Sequence, residues 1–135
     1  MAVYFGDTSF WIALIDRRDA YHSKATEWSL KISGNIVTSE AVLLETANTF
    51  SKPGWKEKVI SLVDHIMGRD DIEVVSFSSS LWDHGWKLYR NRLDKSWSLT
   101  DCMSFELMKE RGITEALAAD SHFRQAGFQA ILLDA

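Results

Sequence analysis

Short apolar runs and longer amphipathic stretches take turns along this chain. VYFG (3–6) is a brief apolar run stopped by Asp7, the pattern of a buried strand. From Ser9 the spacing turns helical over SFWIALI, breaks at the charged DRRD, and resumes over AYHSKATEWSLKI as far as Ser33 and Gly34. NIVTS (35–39) reads as a second strand, with Ser39 placed to cap a helix over EAVLLETANTF. KPG at 52–54 contains the only proline and marks a turn. The amphipathic WKEKVISLVDHIM ends at Gly68, and IEVVSF (72–77), rich in branched residues, predicts a third strand. Serines 78–80 lead into a helix over LWDHGWKLYRNRL. After SLTDC (98–102), the apolar helix CMSFELMKER is closed by Gly112, where a left-handed cap favours glycine. ITEALAA (113–119) has helical propensity, yet it follows a helix stop and ends at an Asp, so it is assigned as a fourth strand. SHFRQAG predicts a turn or short helix, and QAILLD a fifth strand.

Strands that alternate with helices imply a parallel sheet covered on both faces. The expected fold is α/β: a three-layer α/β/α sandwich around a central, mostly parallel five-stranded sheet, in a single domain over residues 1–135. At 135 residues the chain is long enough to bury a core without staples. No repeat, low-complexity tract or linker interrupts it. FWIALI (10–15) is far too short to span a bilayer, and no signal-like segment precedes it, so the expected setting is cytoplasmic, away from membranes. A single cysteine, Cys102, excludes an internal disulfide and a multi-cysteine zinc site.

Ligands in such folds bind at the carboxyl ends of the strands, and that rule sorts the acids. Asp7 and Asp120 each follow a predicted strand. Asp101 sits at a helix N-terminus near the same edge, and Glu45 lies two turns into the helix after the second strand. Four convergent carboxylates repel one another and lose solvation unless protons or cations neutralise them. Oxygen donors alone suit Mg²⁺ or Mn²⁺ better than zinc, and such ions serve phosphoryl chemistry as Lewis acids. Each acid also has a plainer reading. Asp101 near a helix dipole gains about 0.3–1 kcal/mol. Asp7 suits an N-cap, Asp120 an Asx turn, and Glu45 a solvated face opposite Leu43, Leu44, Ala47 and Phe50. The residues alone support an acidic site and leave its chemistry open. A net charge of −4 with pI near 5.5 argues against a broad nucleic-acid surface. Setting the four acids aside brings the balance to neutral, so any basic surface must be local.

Four segments in order, VYFGDTSFWIAL, VTSEAVLLETANTF, WSLTDCMSFELMKERGI and EALAADSHFRQAGFQAILL, resemble the PIN-domain nucleases. Among these the chain is similar to the toxin subunits of VapBC toxin–antitoxin pairs. The resemblance implies Asp7, Glu45, Asp101 and Asp120 as catalytic metal ligands, with Thr8, Ser9, Ser98 and Thr100 as supporting hydroxyls. His122, in the family's softest motif, reads as a surface or capping residue that might otherwise touch substrate. The implied activity is an endoribonuclease dependent on Mg²⁺ or Mn²⁺, in which water attacks an RNA phosphate in line and leaves a 5′-phosphate and a 3′-hydroxyl. The implied partners are RNA, a small inhibitory antitoxin and a second copy of the chain. For RNA, KLYRNRLDKSW (87–97) offers Lys87, Arg90, Arg92 and Lys95, with Tyr89 and Trp97 available for base stacking at about 1–3 kcal/mol per base. A solvated helix face with buried aromatics explains the same segment. Of the six tryptophans, Trp11, Trp28, Trp55, Trp82, Trp86 and Trp97, most are expected in the core. SFWIALI and the helical pair around it are the expected docking surface.

Other sheet-edge sites fit less well. A receiver domain needs an acceptor Asp after a central strand, but IEVVSF runs into serines. Aspartyl phosphatases pair acids as Asp-x-Asp, against Asp7-Thr8-Ser9 here. A dinucleotide fold needs a glycine-rich first turn, and FGDTSF has one glycine. The alternative from another class is a non-catalytic PIN-fold binding or regulatory subunit.

Overall fold

The computed structural model describes residues 2–32 and 34–134. Five strands, β1 (Val3–Gly6), β2 (Asn35–Ser39), β3 (Ile72–Val75), β4 (Glu115–Leu117) and β5 (Gln129–Ala130), lie in the order β3-β2-β1-β4-β5. Every pairing is parallel. Between them run α1 (Thr8–Ile15), α2 (His22–Lys31), α3 (Glu40–Thr49), α4 (Trp55–Met67), α5 (Ser79–Asn91), α6 (Leu99–Arg111) and α7 (Ser121–Gln125). The chain builds outward from β1 to β3, then returns to the other side of β1 for β4 and β5. Right-handed crossovers therefore place α1–α4 on one face and α5–α7 on the other. The reversal point lies between β1 and β4, and the crevice outside their carboxyl ends is where such sheets bind ligands.

Helix α6 is the central element. Asp101, Cys102, Met103, Ser104, Phe105, Leu107 and Met108 are all buried in it. Phe105 meets Trp97 and Phe123 edge-on, with ring centroids 5.0 and 4.9 Å apart. Helix α5 crosses α6 closely at Gly85, where an added Cβ would sit 2.3 Å from Met103 Cγ and 3.1 Å from its Cα. Glycine is needed there for space, not for backbone angle.

Several elements differ from the sequence reading in length. Pairing in β5 covers only Gln129 and Ala130; Ile131–Leu133 form a turn instead of extending the strand. Their apolar character reflects burial, with Ile131 at 2% and Leu132 at 0% exposure, and β4 is too short to pair further. Helix α6 begins at Leu99, not Cys102, because Ser98 takes the cap. Helix α5 runs from Ser79 to Asn91, two residues earlier at each end than the pattern suggested.

SFWIALI is corrected as a docking surface: Phe10, Trp11 and Ala13 are buried under the sheet, so α1 is a core helix. The expectation that most tryptophans are core also fails. Trp11 and Trp97 are buried and Trp28 and Trp55 half-buried, while Trp82 and Trp86 face solvent on α5.

Candidate active site

Asp7 ends β1 and caps α1. Its backbone N–H donates to Leu117 O at 3.1 Å, which ties it to the end of β4. Its Oδ2 accepts from Ser9 N at 3.2 Å and from Ser9 Oγ at 2.6 Å. Ser9 Oγ in turn accepts from Ala119 N at 2.9 Å, so one hydroxyl joins the ends of β1 and β4. The neighbouring strand is pinned by Thr38, whose Oγ1 donates to Gly6 O at 2.8 Å.

Asp101 occupies the third position of α6 in a reciprocal capping box with Ser98. Its N–H donates to Ser98 Oγ, and its Oδ2 accepts from Ser98 N at 3.1 Å. Asp120 caps α7 by accepting from His122 N at 2.9 Å. That turn carries the His122 ring over both carboxylates, with Nδ1 2.9 Å from Asp101 Oδ2 and 3.3 Å from Asp120 Oδ1. Ligand atoms of Asp101, Asp120 and His122 all lie within 4.8 Å of one another. The plainer readings are thus realised together with the convergence: the same aspartates that start helices meet at one edge. Three helix N-termini face the acids, and their positive dipole ends partly offset the repulsion.

Glu45 is half-buried on α3, not on a solvated face. The wheel is turned from the one expected: Ala41, Val42 and Thr46 point inward, while Leu44 is 53% exposed. Glu45 lines a groove with Leu44, Phe77, Trp82, Leu99 and Thr100, and its charge reaches Asp7.

The acids shift as burial among like charges requires. Asp7 is pushed up to about 7, chiefly by burial and further by Asp101 and Glu45, against the lowering pull of Ser9. Burial raises Asp101 as well, opposed by its bonds from His122 and Ser98. Burial lifts the Cys102 thiol to about 11, which removes it as a nucleophile. Two buried hydroxyls have no hydrogen-bond partner among the described residues, Thr8 Oγ1 beside Asp7 and Ser104 Oγ one turn beyond Asp101. Carboxylate oxygens, one imidazole nitrogen and an acid held near neutrality for want of positive charge form a donor set that fits a hard divalent cation.

The remaining site expectations separate. Ser9 and Ser98 orient carboxylates, while Thr100 lines the groove. His122 is the residue that sequence reasoning undervalued. Its only signal was its place two residues after Asp120. Among the cations, Arg92 pairs with Asp94 at 2.9 Å and lies with Lys95 over the Trp97 ring. Lys87 and Arg90 are exposed on α5. Trp97 is corrected as a base-stacking residue: it is 7% exposed, packed on Phe105, and donates Nε1–H to Gln125 Oε1.

A parallel sheet in this order, with acids from the starts of α1, α6 and α7 and from α3 gathered at its carboxyl edge, is the architecture of a PIN domain. The chain belongs to that family, whose model matches residues 4–129. Over 126 residues it is 32% identical to the 23S rRNA-specific endonuclease VapC20 of Mycobacterium tuberculosis, covering 92% of this chain and 94% of that protein. The crystal structure of M. tuberculosis VapC20, a sarcin-ricin-loop-cleaving toxin, superposes with a TM-score of 0.87 and 26% identity, over 96% of this chain and 98% of that one. VapBC2 of Rickettsia felis, solved with a DNA fragment from its promoter, shares the fold at a TM-score of 0.65 and 18% identity, over 93% of each chain.

Proposed function

We propose that this chain is a divalent-cation-dependent endoribonuclease that cuts a structured ribosomal RNA and acts as the toxin of a toxin–antitoxin pair. The observation that carries the reading is Asp7. A carboxyl buried at the sheet edge, with only negative charges acting on it and a pKa raised to about 7, needs a cation to work ionised at neutral pH. The likeness to VapC20 over nearly the whole of both chains supports ribosomal RNA as the substrate class.

Asp7, Glu45, Asp101 and Asp120 would hold Mg²⁺ or Mn²⁺, with His122 as a nitrogen donor beside Asp101 and Asp120. When bound, the ion supplies Lewis-acid polarisation of the phosphate and offsets charge on the leaving oxygen. The chain's own groups do the rest. Ser9 holds Asp7 by two hydrogen bonds, and Ser98 holds Asp101 by its backbone N–H, so the carboxylates need little reorganisation. The N-termini of α1 and α6 add partial positive charge where a phosphate approaches. Arg92 and Lys95, on the loop that leads into α6, meet the RNA backbone. A small antitoxin covers the acidic edge, and the chain works as a homodimer in the cytoplasm.

The test uses purified, partner-free chain with ribosomes and with naked 23S rRNA, in Mg²⁺, Mn²⁺ or EDTA, beside Asp7→Asn and Asp101→Asn. One discrete cut is expected, present with either ion and absent in EDTA and in both variants. Undiminished cleavage in EDTA overturns the cation dependence. A folded chain that binds metal and cuts nothing is the non-catalytic PIN-fold subunit instead.

A further inference from the structure

Helix α5 turns its most apolar side to solvent. Trp82, Trp86 and Tyr89, spaced four and three residues apart, are 47%, 43% and 43% exposed. Their rings stack in a ladder, Trp82 on Trp86 at 5.9 Å and 4°, Trp86 on Tyr89 at 5.5 Å and 20°. Phe77, 48% exposed, joins Trp82 at the groove that also holds Leu44, so the apolar surface continues from α5 toward the acidic edge. Spacing of four and three is the seam a helix presents to another helix, and Trp and Tyr are enriched where protein surfaces bury one another.

Ring geometry selects the kind of partner. A nucleic-acid base needs a free aromatic face on which to stack. Trp86 has a ring on each side along the helix axis, so it offers a partner its edge and not a face. Edges and apolar bodies pack well against other side chains. The flanking charges then select which protein. Asp83 and Arg90, seven residues apart and so on nearly the same side of the helix, are both exposed. Neither has an ion-pair partner among the described residues. If two α5 helices pack antiparallel about a two-fold axis, Asp83 of each copy faces Arg90 of the other, twice over. A parallel pair brings no such match.

We infer that α5 is the isologous interface of the homodimer, an antiparallel α5–α5 contact centred near Trp86 and closed by two Asp83–Arg90 pairs. This rests on the self-association included in the function above and assigns it a surface. It also withdraws Arg90 from RNA binding in the assembled protein.

Sedimentation velocity of the full chain across a concentration series, with Trp86→Asp, Asp83→Arg, Arg90→Asp and the double swap, tests it. The wild type is expected to dimerise. Trp86→Asp should raise the dissociation constant at least about tenfold, as loss of a central anchor does, with unchanged circular dichroism. Each single charge reversal should weaken the dimer, and the double swap should restore it, which a generally damaged surface would not do. A dimer indifferent to all four variants overturns the α5 assignment while self-association stands. A wild type monomeric at every concentration overturns both. If that monomer binds 23S rRNA and Trp86→Asp abolishes the binding, the face belongs to RNA.

Discussion

Asp7 is a ligand candidate and a burden on the fold at once. Its carboxyl is buried beside Asp101 and Glu45, and its pKa rises from 3.8 to about 7. A group whose folded pKa is raised contributes stability that is complete below the unfolded value and is lost as pH climbs through the folded one. Metal-free protein should therefore lose stability between about pH 4 and pH 7, at up to about 1.4 kcal/mol per unit. Urea midpoints across that range should fall for the wild type and stay much flatter for Asp7→Asn, which should also be the more stable protein at pH 7. The same variant should lose cleavage by more than the roughly 10–100-fold that removal of a supporting partner costs. A second expectation concerns His122. His122→Ala should weaken Mn²⁺ binding by roughly 10–100-fold, read by calorimetric titration, while His122→Asp keeps a donor at that position and retains most of the affinity. Asp7, Asp101 and Asp120 were legible because strand ends and helix starts place them. His122 was not, because its meeting with Asp101 depends on the turn at Asp120, which no periodicity reports.

At the scale of elements, the crossing of α5 on α6 is the tightest contact, and Gly85 makes it possible. Gly85→Ala should destabilise the protein by about 1–3 kcal/mol through overpacking against Met103, despite alanine's better helix propensity, and the check is a denaturant midpoint. If alanine stabilises instead, the helices have room that the geometry denies them. The order of strands and helices followed from alternation, but lengths did not. QAILLD reads as a strand because Ile131 and Leu132 are buried, and burial rather than ladder pairing made them apolar. Glu45 was misread on the helical wheel because α3 exposes Leu44 to a groove, and a wheel assumes that apolar residues face inward. The α5 aromatics failed the same assumption for the same reason: they are apolar for something other than the core.

Across the whole molecule, cation binding and stability are linked. A saturating ion at about 100 times its dissociation constant stabilises by about 2.7 kcal/mol. Because Asp7 must give up a proton that it holds up to about pH 7, Mg²⁺ or Mn²⁺ should raise the melting temperature little near pH 5 and much more at pH 7.5. Thermal scans with and without ion at both pH values decide this. A shift equal at the two pH values would remove Asp7 from the ligand set.

The acids come from positions 7, 45, 101 and 120, and β4 must insert beside β1 before the last of them is in place. During synthesis the amino-terminal three strands emerge long before β4 exists to join them. A nascent chain, or one truncated ahead of residue 113, holds Asp7, Glu45 and Asp101 without the strand that brings Asp120 and His122 over them. Production of an agent harmful to ribosomes is thus compatible with its manufacture on a ribosome: the weapon is armed only when nearly the whole message has been read.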